Sequence, residues 1–101
     1  MKRKMSVLVL IGRRWFGKTH GNTYHSVEII VDGNCIHKID YAYGYGQQYE
    51  DSAKNWLDAN GYLPGIHKKH GTPGESLWRY CERIGIVYTR SASDVQRKKD
   101  L

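Results

Sequence analysis

The chain has 101 residues, which favours one domain with a single modest hydrophobic core. Its 16 Lys and Arg residues outnumber its 10 Asp and Glu residues, and the formal net charge of +6 favours an acidic partner such as nucleic acid or a nucleotide. No apolar stretch approaches transmembrane length. The two cysteines, Cys35 and Cys81, form no CxxC motif. We therefore expect a reduced cytoplasmic protein without a membrane partner, and a single disulfide between the cysteines is the open alternative.

The first half of the chain predicts three strands. A continuous apolar run predicts a strand over about residues 6–13 that is either central in the sheet or buried on both faces. Alternation predicts a second strand over about residues 24–31, with His25 and Val27 on one face and Glu28 on the other. A third strand is predicted over about residues 35–43.

The segment Asp32-Gly33-Asn34 is a hairpin signal between the second and third strands. We predict a three-residue loop, because that register places Val27 opposite Ile39 and Glu28 opposite Lys38. A two-residue loop would place Val27 opposite Lys38. The preferred register also pairs Ile29 with His37 and Val31 with Cys35.

The second half predicts two helices and a fourth strand. An amphipathic stripe predicts a helix over about residues 47–60, which Gly61 ends in a left-handed conformation; the stripe consists of Tyr49, Ala53, Trp56 and Leu57. Thr72 as N-cap, Pro73 at the first helical position and Glu75 as the capping-box partner predict a second helix, which Gly85 closes.

Residues 86–89 read as the fourth strand, which gives the order β-β-β-α-α-β. This order predicts an α+β fold in which an antiparallel sheet carries two helices on one face. We expect a single domain over residues 1–90 and a mobile basic tail over residues 91–101.

The first candidate binding site follows the apolar strand, where Arg13, Arg14, Trp15, Phe16 and Lys18 lie close together in the sequence. A guanidinium suits phosphate or carboxylate, and an aromatic ring offers a face on which a base can stack. The two arginines point to opposite faces unless the strand ends there. The alternative is that Trp15 closes the core while the arginines are solvated or pair with Asp40 or Glu28.

Two further segments are candidates for ligand contact. Asn22, Thr23, Tyr24 and His25 begin the second strand and lie near the arginines if the first two strands are neighbours. An ordinary turn before a strand is the alternative for Asn22 and Thr23. Tyr41, Tyr43 and Tyr45 precede the first helix together with Gly44 and Gly46, and these small residues let a ligand approach the backbone; an ordinary strand-to-helix bend is the alternative.

The histidines give weaker indications of chemistry. His67 and His70 flank two lysines, but four protein ligands are usual at a structural zinc site, so we predict no metal and no cofactor. His25 and His37 would support phosphodiester cleavage if they faced each other across two strands. A structural histidine is the commoner case, and we assign no catalytic residue.

Three segments together resemble a group of small phage-encoded proteins: Gly12-Arg-Arg-Trp-Phe16, Gly21-Asn-Thr-Tyr-His-Ser26 and Tyr43-Gly-Tyr-Gly-Gln-Gln-Tyr49. The resemblance covers about residues 7–64. It implies the host cytoplasm and an accessory role, such as blocking a host defence complex, sequestering a nucleotide signal or coating nucleic acid.

These observations favour a non-enzymatic protein that binds a phosphorylated ligand, either nucleic acid or a nucleotide, and the resemblance places this role in counter-defence. One alternative is an inhibitor that binds a host protein complex through a basic and aromatic surface. A second is a small histidine-dependent nuclease or phosphodiesterase. We also expect self-association, because a short chain rich in aromatic residues gains core by pairing with a copy of itself.

Overall fold

A four-stranded sheet and two helices form the fold of this protein, whose computed structural model describes residues 5–19, 21–44, 46, 48–67 and 74–101. In chain order the elements are β1 (Val7–Gly17), β2 (Asn22–Val31), β3 (Asn34–Tyr43), α1 (Gln48–Ala59), α2 (Leu77–Ile84) and β4 (Val87–Val95), followed by a 3-10 turn at Lys98–Asp100. The predicted α+β class and the predicted order of elements are confirmed. No helix in the described residues is long and apolar enough to cross a membrane.

The sheet is mixed, which corrects the prediction of an antiparallel sheet. Its strand order is β3-β2-β1-β4, and the first three strands in the chain pair antiparallel. β4 pairs parallel with β1. The chain leaves β3, passes through both helices and returns on the far side of β1, and such a crossover lets two strands run in the same direction.

One face of the sheet, here called the helix face, carries the hydrophobic core. Alternate residues of β1 and β2, including Leu8, Leu10 and Ile29, are fully buried there. The predicted α1 stripe packs on them, with Tyr49, Ala53 and Leu57 buried and Trp56 partly buried. α2 adds the buried residues Leu77, Tyr80 and Cys81. β1 is central in the sheet, as one alternative predicted, but it is buried mainly on one face. In the described residues neither α1 nor α2 covers the opposite face, here called the outer face.

The hairpin between β2 and β3 has a two-residue turn, contrary to the predicted three-residue loop. Asp32 and Gly33 both adopt positive φ, 49° and 85°, as a tight hairpin turn requires. A bulge then inserts one extra residue in β3, so that Ile30 lies opposite Cys35 while Ile29 lies opposite His37. The bulge restores three of the predicted pairs, and only the pairing of Val31 with Cys35 is wrong.

The two helices end as predicted, but α2 begins later than predicted. Gly61 and Gly85 both have positive φ, and the amide of Tyr62 donates to the carbonyl of Leu57 at 2.9 Å. The N-cap of α2 is Ser76, so Glu75 precedes the helix instead of completing a capping box. The predicted cap residues Thr72 and Pro73 lie outside the described residues.

Glu75 pairs with Arg83 at the other end of the helix, and this pair predicts an acid-dependent loss of stability. Arg83 donates two hydrogen bonds, 2.8 and 2.9 Å long, and lowers the pKa of Glu75 to about 2. The pair therefore stabilises the fold fully above the ordinary carboxyl pKa, and this contribution is lost as the pH falls from about 4.5 to about 2. Over that pH range we expect the free energy of unfolding to fall less steeply in Glu75→Gln than in the wild type. Urea unfolding at several pH values measures this, and an unchanged slope would contradict it.

β4 extends to Val95, well beyond the predicted strand at residues 86–89. The first five residues of the predicted tail, 91–95, thus belong to the sheet and pair with β1. The segment that follows crosses the outer face, where the Lys38 ammonium lies 3.3 Å from the main-chain oxygen of Leu101. The mobility expected for the tail stays a prediction.

Candidate functional site

Arg13 and Arg14 point to opposite sides of the sheet, because β1 continues through them to Gly17. On the outer face Arg13 donates to Glu28 at 3.2 Å, which is one of the two carboxylates named above as alternative partners. On the helix face Arg14 lies 3.0 Å from Asp94 and donates to the carbonyl of Gly46 at 3.3 Å. The block that is continuous in sequence therefore supplies two separate surfaces.

The outer face carries a row of aromatic rings that runs across three neighbouring strands. Tyr24 of β2 lies at its centre, with Trp15 stacked on one side at a centroid distance of 5.9 Å and Tyr41 stacked on the other at 4.7 Å. Tyr43 meets Tyr24 edge-on at 5.7 Å. We call these four residues the aromatic row. It forms because the register places Trp15 and Tyr43 directly opposite Tyr24.

Exposure differs along the aromatic row in a way that suits ligand contact. Tyr43 is 66% exposed and Tyr41 is 46% exposed, whereas Trp15 and Tyr24 are half-buried and hold the row in place. Desolvation, and then the neighbouring Tyr24 hydroxyl, raise the pKa of Tyr41 above its ordinary value. Its phenol is therefore neutral at physiological pH and does not repel an anion.

Cationic side chains flank the aromatic row. The Lys98 ammonium lies 4.7 Å from the centroid of Tyr41, a cation–π contact that brings the segment after β4 against the row. Arg13 lies on the same face of the sheet, two residues before Trp15 on β1. Arg97 and Lys99 adjoin Lys98 in an exposed stretch, and Arg97 pairs with Asp100 at 3.2 Å.

A cleft of about 460 Å³ lies on the other side of the sheet, where β1 and β4 end. Its lining combines Arg14 and Lys18 with Phe16, whose ring is 53% exposed, and with the Asp94 carboxylate. Thr23, Gly46, Val95 and Gln96 complete the lining. The cleft thus places two cations beside one open aromatic ring, although Asp94 partly neutralises Arg14.

His25 lies apart from both surfaces. It is 1% exposed, and its two ring nitrogens lie 3.2 Å from the carbonyl of Gly44 and 2.8 Å from the hydroxyl of Ser52. In β3 the residue opposite His25 is Ala42. His37 lies opposite Ile29 instead, and its ring stacks on Trp56 at a centroid distance of 4.4 Å. The two histidines do not form a cross-strand pair, and the geometry gives no support to a histidine-dependent hydrolysis.

The remaining predicted residues are distributed as follows. Asn22 is half-buried opposite Gly17 at the start of β2. Tyr45 lies outside the described residues, as do Lys68, Lys69 and His70. Among the residues that the structure describes, no group of three or more His, Cys, Asp or Glu side chains is arranged to hold a metal ion.

Tyr41 and Lys98 also belong to the outer surface; Tyr41 lies in the tyrosine segment predicted for ligand contact, whereas Lys98 was not predicted. A period of two places Tyr41 on the same face as Tyr43, so the strand pattern contained the signal for it. Lys98 carried no such signal, because its position depends on how the segment after β4 folds back across the sheet. The comparison with known proteins adds no further residues, because no family model, curated protein or solved structure matches this chain.

Proposed function

We propose that this protein binds a phosphorylated ligand without chemical turnover, and that the ligand is single-stranded nucleic acid held on the outer face. The observation that carries the proposal is the aromatic row, whose exposed Tyr41 ring lies beside Lys98 and whose Trp15 end lies on the same face as Arg13. On the resemblance to small phage-encoded proteins, the role we propose is that of an accessory protein acting in the host cytoplasm, with counter-defence as its setting.

The aromatic row supplies the contacts that unpaired bases need. Every base has a flat face, so stacking on tyrosine or tryptophan tolerates any sequence and contributes about 1–3 kcal/mol per base. Tyr24 stacks between Trp15 and Tyr41, and Lys98 lies over Tyr41. The ring that presents its face to a base is therefore Tyr43, which meets Tyr24 edge-on. Duplex bases are already stacked on each other, and therefore a single strand fits this surface better.

The charges suit the phosphates of such a strand. The formal net charge of +6 attracts a polyanion from a distance. Near the row, the exposed stretch Arg97-Lys98-Lys99 offers cations within one chain segment. The Arg13–Glu28 pair is about one-third exposed on each side, so a phosphate competes with Glu28 for the guanidinium without opening the core.

A second candidate function is nucleotide sequestration in the cleft of Arg14, Lys18 and Phe16. The exposed Phe16 ring would take a base, and the two cations would take phosphates. Asp94 opposes this use because its carboxylate already occupies Arg14 at 3.0 Å, although at 80% exposure it is free to turn away. Within the described residues no ion pair engages Lys98 on the outer face, which makes that face the first candidate.

Tyr43→Ala tests the proposed function. We expect it to weaken binding of a fluorescein-labelled oligothymidylate of about 15 nucleotides by about 5- to 150-fold, the equivalent of one lost stacking contact. Fluorescence anisotropy measures the affinity at several salt concentrations, and the logarithm of the affinity should fall linearly with the logarithm of salt. Tyr43 is well exposed, so the fold should tolerate the change.

Trp78→Ala is the matched control, because this ring is 43% exposed on α2, on the side of the sheet away from the row. It should leave the affinity unchanged. Equal losses in both variants would contradict a specific role for the row. Binding of one discrete nucleotide that is lost in Arg14→Gln with Lys18→Gln, but kept in Tyr43→Ala, would favour the cleft instead. No binding of either probe at low salt would overturn both.

A further inference from the structure

The two edges of the sheet differ in how well they are protected against pairing with another strand. β3, at one edge, contains two bulges relative to β2 and carries Lys38 and Asp40, features that interrupt a regular ladder. β4, at the other edge, pairs with β1 over nine residues without a register shift and is almost wholly exposed. It contains no proline, and the described part of the chain places no strand beside it.

The backbone direction along β4 shows which residues present hydrogen-bonding groups to that edge. The amide of Val87 donates to the carbonyl of Ser6. Val87 and every second residue after it therefore direct their backbone amides and carbonyls toward β1. The intervening residues, Tyr88, Arg90, Ala92 and Asp94, therefore direct their amides and carbonyls outward. An edge with four such residues in a regular row is a template for another strand.

We propose that a second copy of this chain pairs with this edge, β4 against β4 in antiparallel orientation, about a two-fold axis at Ser91. This register places Tyr88 opposite Asp94 and Arg90 opposite Ala92 of the second copy, which are the residues with outward hydrogen-bonding groups. It uses the whole strand, whereas any other register leaves residues unpaired at both ends. A closed two-fold dimer is the commonest form of self-association.

The side chains of β4 complement one another in this register. On the outer face Val87, which is 61% exposed, meets the half-buried Val95 of the second copy, and Thr89 meets Ser93. On the helix face Arg90 lies diagonal both to Asp94 and to Arg90 of the second copy, and its ion pair with Glu50 offsets the like charge. The Val87 side chains of the two copies lie at opposite ends of the interface, and each is thereby covered.

Cysteine cross-linking tests the register directly. Ser91 would lie opposite Ser91 of the second copy in a pair whose Cα atoms are about 4.5 Å apart, within reach of a disulfide. In a Cys35→Ser background, which removes the exposed native thiol, we expect Ser91→Cys to form a covalent dimer on mild oxidation. Thr89→Cys is the control, because its counterpart would be four residues away, about 13 Å along the strand. Combining Thr89→Cys with Ser93→Cys should restore the cross-link.

Ala92→Pro provides an independent test without new thiols. Its amide faces away from β1, so a proline is compatible with the edge of the sheet but removes an outward hydrogen bond. We expect wild-type protein to sediment as a dimer at high concentration and Ala92→Pro to raise the dimer dissociation constant at least about tenfold. Circular dichroism checks that the variant is folded. A wild-type chain that stays monomeric at every concentration, or equal cross-linking of Ser91→Cys and Thr89→Cys, would overturn the proposal.

This interface does not depend on the ligand. Tyr43 and Lys98 lie away from the β4 edge, so Tyr43→Ala should leave sedimentation unchanged, and Ala92→Pro should leave the intrinsic affinity of each subunit for a short oligonucleotide unchanged. Each proposal can therefore be contradicted without contradicting the other.

Discussion

Replacing Glu50 with alanine is expected to lower the free energy of unfolding by about 2–3 kcal/mol. Glu50 of α1 is 8% exposed, accepts a hydrogen bond of 2.7 Å from the Tyr88 hydroxyl and pairs with the Arg90 guanidinium. The burial of Tyr88 and then its bond to Glu50 raise the pKa of Tyr88, while the same carboxylate raises that of Arg90. Glu50 is thus the acceptor that joins α1 to β4.

The variant leaves Tyr88 and Arg90 without this acceptor. Arg90 is 39% exposed and regains some water, which keeps the expected loss below that of a fully buried pair. Asp51→Ala is the matched control, since Asp51 is the next residue of the same helical turn and is exposed. Urea unfolding of both variants measures the difference. A loss in Glu50→Ala no larger than in Asp51→Ala would show that the buried carboxylate does not stabilise the fold.

Gly12→Ala is the second large expected effect, again a loss of about 2–3 kcal/mol. In most strands alanine is more favourable than glycine, so a destabilising result reverses the ordinary sign. A Cβ atom at position 12 would lie 2.8 Å from two carbons of the Tyr49 ring, which is 2% exposed between α1 and the sheet. Neither the ring nor the strand can move away without opening the core.

A double-mutant cycle checks that the ring is the cause. In a Tyr49→Leu background the smaller side chain leaves room for the new methyl group, and Gly12→Ala should then cost much less than in the wild type. Unfolding free energies of the four proteins give the coupling. Equal costs in both backgrounds would contradict the clash and assign the effect to the backbone of β1.

Periodicity predicted the faces of single elements well. The stripe of α1 and the alternation of β2 identified buried residues, because one element's pattern reports the face it packs with. The same reasoning placed Arg13 and Arg14 on opposite sides of the sheet. The division of the predicted site into two surfaces was therefore implicit in the sequence, once β1 was known to continue to Gly17.

Features that depend on distant parts of the chain were not predicted. The buried pair of Glu50 with Arg90 joins residues 40 positions apart, and Arg90 lay just beyond the predicted end of the fourth strand. The parallel direction of β4 depends on the path through both helices, and the bulge in β3 depends on competition between turn geometry and side-chain pairing. Local sequence pattern carries little information on any of these.

The position of β1 between β2 and β4 has a consequence for synthesis of the chain. β1 receives its first partner within the adjacent hairpin, but Val7 is separated by 80 residues from Val87, its partner in β4. Until β4 leaves the ribosome, one edge of the apolar run from Val7 to Ile11 has no strand to pair with. A nascent chain stalled between α2 and β4 would therefore expose an aggregation-prone edge, and this interval is when the protein most needs a chaperone.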